Sequence, residues 1–211
     1  MASVTPTRLL LARHAEVEIR YHKIFGGKID MNLSPRGHEQ AGLLANFLRT
    51  RKLDAIYASP MKRVQQTLAP FIKDGAPAQT IVEDLREVDF GDWTGMNWEQ
   101  VCQKFQLLTH EWLEHVERGA APNGEDGPRF RARVEPALRE IVKTHPGQTV
   151  GIFCHGGVIR MILSILLELP LPRTNMFQIE YAGVTQIALR PGHAELELLN
   201  FTPWRDSPDF T

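Results

Sequence analysis

The chain is poor in cysteine, in long apolar runs and in any surplus of charge, and each shortage excludes a class of protein. Among 211 residues there are two cysteines, Cys102 and Cys154. Two are too few for a disulfide framework, which points to a reducing compartment. The longest apolar stretch, Met161 to Leu167, is interrupted by Ser164 and ended by Glu168, whereas a membrane-spanning helix needs about 20 apolar residues. The run Leu9 to Ala12, with Arg8 before it and Arg13 after it, is too short for a signal-peptide core. The expected location is therefore the cytoplasm, with no membrane partner. Lys and Arg total 24 against 25 Asp and Glu, a formal net charge of -1. That leaves no basic surface for nucleic acid.

What is present is the composition of a globular chain. Hydrophobic residues make up 43%, and a chain this long can bury a full core without metals or disulfides. No linker, repeat or low-complexity tract divides it, so 1–211 reads as a single domain. Residues 8–12 form a continuous apolar run that suits a buried strand. Residues 15–33 read as a loop. Ser34-Pro35 opens a helix, with serine as N-cap and proline in the first turn. Ala41, Leu44, Ala45 and Leu48 then recur at helical spacing. Residues 54–58 read as a strand, and Ser59-Pro60 repeats the cap-and-proline signal for a second helix ending near Lys73. A third strand is expected at 79–83. Residues 84–130 hold helical pieces broken by glycines, an irregular lid or insertion. A helix follows over 129–144, with Pro136 as a kink or late start. A strand at 148–153 leads into an apolar helix over 156–168. The tail reads as β at 176–181, 184–189 and 194–200.

Strands alternating with helices predict an α/β fold, a three-layer α/β/α sandwich around a mostly parallel sheet. In such sheets ligands bind beyond the carboxyl ends of the strands. Three polar segments follow three predicted strands: Arg13-His14, Ser59 to Arg63, and His155-Gly156-Gly157. They should meet at one sheet edge. Each has a plain alternative: a polar strand end, a solvated arginine, an ordinary turn. Together, two arginines and two histidines would describe a pocket for a phosphoryl dianion, since like charges gathered without an anion repel. The glycines after His155 would let backbone N–H groups approach that anion. Arg63, in the first turn of its helix, leans back toward the sheet, and its planar fork suits phosphate. A proton donor for a leaving oxygen could come from Glu87, with Glu83, Asp84, Asp89 and Asp92 competing for the role.

These segments resemble the histidine phosphatase superfamily, its phosphoglycerate mutase-like branch. The pieces are LLLARHAE (9–16), LSPRGHEQA (33–41), SPMKRVQQT (59–67), LREVDFGDWTG (85–95), PNGE (122–125) and FCHGGVIR (153–160). Their order and spacing agree over nearly the whole chain, and the pattern is most similar to α-ribazole phosphatases and related broad-specificity members. The resemblance implies a phosphoglycerate mutase-like fold and metal-independent hydrolysis of a small phosphorylated metabolite. In it, His14 is the nucleophile that becomes phosphohistidine. Arg13, Arg63 and His155 hold the phosphoryl oxygens. Glu87 is the general acid and then base. Gly156, Gly26 and Arg20 are further substrate-binding candidates. No cofactor or metal is implied. The substrate would be α-ribazole 5′-phosphate or a sugar phosphate.

The chain departs from the family at four positions. Ala15 replaces the glycine after the nucleophile, tolerable if φ stays negative. Val17 stands where threonine is frequent. Arg20 replaces an asparagine, either adding a cation for a more anionic substrate or pointing to solvent. Asp126 stands in place of a serine after PNGE. The acid is followed by VDFG rather than the RHYG of mutases, which favours hydrolysis over phosphotransfer. Three other readings remain. Cys154-His155-Gly156-Gly157-Val158-Ile159-Arg160 fits the phosphate-loop spacing of cysteine phosphatases, with Cys154 as nucleophile and Arg160 as ligand. A catalytically silent regulatory protein could use the same fold. A metal-dependent hydrolase would need closer histidines than His110 and His115 or His22 and His38. Trp93, Trp98 and Trp112 read as packing for the lid, and the β-rich tail offers an edge for homo-oligomers.

Overall fold

The computed structural model describes residues 5–73, 75–107 and 111–206. His110 lies outside them. Six strands form one sheet: β1 (Thr7–Arg13), β2 (Ala55–Ala58), β3 (Gln79–Ile81), β4 (Thr149–Cys154), β5 (Val184–Arg190) and β6 (His193–Phe201), in the order β3-β2-β4-β1-β5-β6. β1, β2, β3 and β4 pair in parallel. β5 runs antiparallel to β1, and β6 to β5. The sheet is α/β and mostly parallel, as expected. The helices are α1 (Pro35–Arg49), α2 (Lys62–Ile72), α3 (Trp98–Phe105), α4 (Trp112–Glu117), α5 (Gly127–Thr144), α6 (Gly156–Leu166) and α7 (Pro203–Asp206).

β1 shows why the run at 8–12 is continuously apolar. Successive side chains of a strand face opposite ways. Leu9 and Leu11 enter a core with β4, α5 and α6. Leu10 and Ala12 enter a second core with α1 and α2. A strand covered by helices on both faces has no polar side to show. Register then sets the site. Arg13 pairs with Cys154 and Ala58 with Phe153, so β1, β2 and β4 end side by side.

Three expectations are corrected. Residues 176–181 do not form a strand. A 3₁₀ segment runs from Leu171 to Met176, and the backbone beyond it bonds side chains instead of a ladder. Ile179 O accepts from Arg13 Nη1 and Tyr181 O from Trp204 Nε1, while Glu180 N donates to Asn200 Oδ1. Ser59 does not cap α2. That helix starts at Lys62 behind Met61, because the Ser59 hydroxyl is engaged with His155, 2.8 Å away. Pro136 is not a late start of α5 but lies inside it. The helix begins at Gly127, capped by Asp126, whose carboxylate accepts from Arg129 N at 2.8 Å. Aspartate thus serves there as the helix cap, a role serine fills equally well.

The described residues between 83 and 126 are irregular but packed. They include 3₁₀ turns at Glu83–Leu85 and Gly91–Trp93, followed by α3 and α4. Leu85, Val88, Trp93, Val101, Leu113 and Val116 from this stretch are buried in the core shared with α5 and α6. Among the described residues no helix is long and apolar enough to cross a membrane.

Candidate active site

His14 is the first residue beyond β1, its backbone N–H bonded to Cys154 O at 3.0 Å. The side chain is buried, and Nδ1 lies 2.8 Å from the Ala15 carbonyl. A carbonyl can only accept, so Nδ1 carries the proton and Nε2 keeps its lone pair. Burial first, then Arg63 and Arg13, hold this imidazole well below the usual histidine range. It is a neutral, oriented nitrogen base at neutral pH.

The loop that follows explains the segment 33–41. Glu16 N–H donates to Gln40 Oε1 at 2.9 Å. Ser34 Oγ donates to Glu16 Oε1 at 2.7 Å and caps α1 by accepting from Gly37 N at 2.9 Å. A Cβ on Gly37 would sit 2.0 Å from Glu16 O, so only glycine lets α1 press against this loop. Ala15 donates its N–H to Thr67 Oγ1 at 2.9 Å and keeps φ negative. Its methyl group is accommodated where the family usually has glycine.

His155 follows β4 and opens α6. It is fully buried, its ring centroid 5.3 Å from that of His14. Burial, Arg63, His14 and Arg13 together lower its proton affinity well below the ordinary value. Nε2 meets the Ser59 hydroxyl, while Nδ1 is buried without a partner. A serine proton donated to Nε2 leaves the imidazole proton on Nδ1, a donor with no acceptor. Arg13 Nε is a second buried donor without one. The rest of that guanidinium is fixed by Ile179 O at 2.7 Å and by the Tyr181 ring, 4.1 Å below it. Arg63, also buried, donates to Ile29 O at 2.8 Å and Gly27 O at 3.2 Å. Buried donors are nearly always satisfied. The free donors of His155 and Arg13, next to the Arg63 guanidinium, have the chemistry to bind an anion.

Glu87 faces this group. Its carboxylate accepts from Val88 N at 3.0 Å and Gly157 N at 3.3 Å. A Cβ on Gly157 would lie 2.4 Å from Glu87 Oε1, so the second glycine after His155 makes room for the acid. Behind it stands Arg133, which donates to Asp84 O at 2.6 Å, Arg86 O at 3.0 Å and Glu87 O at 3.5 Å. Arg133 also pairs with Glu125 at 2.8 Å. Glu125 in turn accepts from Asp89 N at 2.9 Å. The glutamate of PNGE thus clamps the segment that carries Glu87.

A cavity of about 330 Å³ is lined by Arg13, His14, Arg63, Glu87, Gly26 and Gly156; His155 is not among its lining residues. One wall is aromatic. Phe25 has its ring centroid 4.8 Å from Phe90, 5.8 Å from Trp98 and 6.2 Å from Trp112, all four lining the cavity. Trp93 lies deeper, fully buried. Lys23, Tyr181 and Arg160 also line the cavity. Arg20 is not among the lining residues. It bonds Glu18 at 3.0 Å and lies 4.8 Å over the Tyr21 ring. Cys154 is fully buried, and desolvation raises its thiol pKa far above the usual value. Among the described residues no three His, Cys, Asp or Glu side chains gather as metal ligands.

Sequence reasoning missed Tyr181, the Arg133–Glu125 clamp and the role of Gly157. Arg133 carried no motif, and its targets lie 46 to 49 residues away.

The model of the histidine phosphatase superfamily (branch 1) matches residues 9–202. Phosphoserine phosphatase 1 of Hydrogenobacter thermophilus is 34% identical over 196 residues, covering 92% of each chain. The adenosylcobalamin/alpha-ribazole phosphatase of Salmonella typhimurium is 28% identical over 200 residues, covering 92% of this chain and 96% of that one. Among solved structures, the alpha-ribazole phosphatase from Shigella flexneri superposes with a TM-score of 0.80 at 26% identity, covering 92% and 96% of the two chains.

Proposed function

The chain belongs to branch 1 of the histidine phosphatase superfamily and is a phosphatase; from that premise we propose that it hydrolyses small phosphomonoesters through a phosphohistidine on His14. The observation that carries this reading is the His14 ring: buried, neutral, and proton-tethered through Nδ1 to Ala15 O so that Nε2 is the nucleophile. Nε2 attacks phosphorus, and the bond from phosphorus to the ester oxygen breaks. Glu87 gives a proton to the departing alkoxide as general acid. A water then attacks the phosphohistidine, loses a proton to Glu87 and releases inorganic phosphate, restoring Nε2. Splitting one displacement into two is the gain of covalent catalysis. Arg13, Arg63 and the Nδ1–H of His155 bind the equatorial oxygens, where charge is spread in the transition state. Relatives named for phosphoserine and for α-ribazole support a small phosphorylated metabolite as substrate.

The fully buried thiol of Cys154 disfavours the cysteine-loop reading, since the thiolate is the nucleophile in such enzymes. The test is turnover of an aryl phosphate in chelator by wild type, His14→Ala and Cys154→Ser. Loss of at least about 10³-fold is expected for His14→Ala, with Cys154→Ser active. A dead Cys154→Ser beside an active His14→Ala would overturn the assignment.

A further inference from the structure

Arg13 has to offer its fork to a phosphoryl oxygen while something else holds it still. Its side-chain partners among the described residues are both uncharged. Nη1 donates to Ile179 O at 2.7 Å, and the guanidinium carbon lies 4.1 Å from the centroid of the Tyr181 ring. A carboxylate in the place of that ring would fix the group equally well, but it would compete with the anion for the charge. The face of an aromatic ring attracts a guanidinium and leaves its in-plane N–H groups free. The buried, unbonded Nε–H is one of these.

Tyr181 belongs to neither β5 nor β6, so no ladder sets the ring. Contacts from distant segments do. Ala182 N donates to His14 O at 3.2 Å, and Arg13 N to Gly183 O at 3.1 Å. The segment thus grips the backbone of the residue pair beside which its tyrosine lies. Glu180 N donates to Asn200 Oδ1 at 2.7 Å, and Trp204 Nε1 to Tyr181 O at 2.9 Å. Between these anchors Ala182 is buried with φ at +51°, a left-handed backbone that strains a residue bearing a Cβ. The Tyr181 ring then lines the cavity, its centroid 5.5 Å from that of His14. Trp204 is not among the lining residues. It stands on α7 and packs against the core formed with α1 and α2, with the guanidinium carbon of Arg36 5.2 Å from its ring.

We propose that Tyr181 is a positioning residue for phosphoryl transfer: its ring holds the Arg13 guanidinium in the plane that serves the phosphoryl oxygens, and Trp204 sets that ring from outside the cavity. The proposal rests on the phosphatase reading and adds two residues to it. Neither gives nor takes a proton, and both act through Arg13. A small misplacement of such a group is costly, because its hold on the transition state depends on alignment.

The test is turnover of a nitrophenyl phosphate by single and double variants. Tyr181→Phe keeps the ring and should stay within about twofold of wild type. Tyr181→Leu should lower kcat/KM about 30-fold, the size of a desolvated cation–π contact. Trp204→Phe keeps an aromatic ring but loses the N–H, and should lower it about fivefold. In an Arg13→Ala background both losses should shrink to less than about twofold, since residues acting through one partner are not additive. A general loss of structure would lower activity equally in both backgrounds. Full losses in the Arg13→Ala background therefore overturn the proposal, as does a Tyr181→Phe that is as slow as Tyr181→Leu. If Tyr181→Leu does not fold, Trp204→Phe carries the test, and an unchanged kcat/KM for it contradicts the proposal. A wild type without activity would sink the phosphatase reading itself. With an active wild type, failure falls on Tyr181 and Trp204 alone.

Discussion

The floor of the cavity and its aromatic wall are built by different means. On the floor, Arg13, His14 and His155 sit at or just beyond the ends of adjacent parallel strands, and Arg63 lies in the first turn of the helix that follows β2. Backbone ladders fix where β1 and β4 end, and the loop carbonyls of Gly27, Ile29 and Ile179 orient the two guanidiniums. The wall is the irregular stretch after β3. Its position depends on side chains: the Phe25-centred aromatic cluster and the Arg133–Glu125 clamp. The floor can therefore keep its geometry while the wall varies. In an open α/β sheet this division is natural, since strand ends are rigid and the segments beyond them carry specificity.

The largest expected break comes at Glu87, the proposed proton donor, which belongs to the wall. Glu87→Gln should slow hydrolysis of alkyl phosphates by about 10³-fold. With a nitrophenyl ester, whose leaving group needs no proton, stopped-flow should show a burst of one equivalent followed by slow turnover. Equal losses on both esters, with no burst, would contradict the acid–base role.

A smaller break should follow from loosening the clamp. Arg133→Met removes three bonds to the backbone around Glu87 and leaves Glu125 unpaired. It should cost about 3 kcal/mol of stability and lower kcat about 10- to 100-fold with KM little changed. A variant that melts earlier but keeps its kcat would show that Glu87 is held without Arg133.

The smallest effect tests the floor as a buried cationic site. His14 and His155 are both held below the histidine range in the folded chain, burial being the first cause. Below about pH 6.5 the unfolded chain binds protons that the folded one refuses, so stability falls as pH drops from there toward the lowered folded values. Each histidine adds roughly 1 kcal/mol per pH unit to that slope. Denaturant titrations between pH 5 and 7 should show a shallower slope for His14→Gln than for wild type. Identical slopes would remove the buried neutral state.

The same contrast governs what the sequence reveals. β1, β2 and β4 are legible because each is a short apolar run ended by polar residues. Register then carries Arg13, His14 and His155 to one edge without further information. The Ser34 cap is legible because capping is local. Ser59-Pro60 has the same local pattern, and there it misleads: its hydroxyl serves a histidine 96 residues away. The wall is not legible from pattern. Tyr181 under Arg13, Gly157 beside Glu87 and Arg133 behind it act through contacts between distant segments, where neither periodicity nor capping leaves a trace. Arg20, singled out by its position in the chain, lies at Glu18 outside the cavity.

The most direct test of the account is to trap the intermediate. Glu87→Gln mixed with a nitrophenyl phosphate, quenched in alkali to preserve a phosphoramidate, and digested, should yield one peptide heavier by a phosphoryl group. That peptide should contain His14, and the label should be absent when His14 is also replaced by alanine. A phosphoryl group found on Cys154, or continued turnover with no labelled peptide at all, would contradict it.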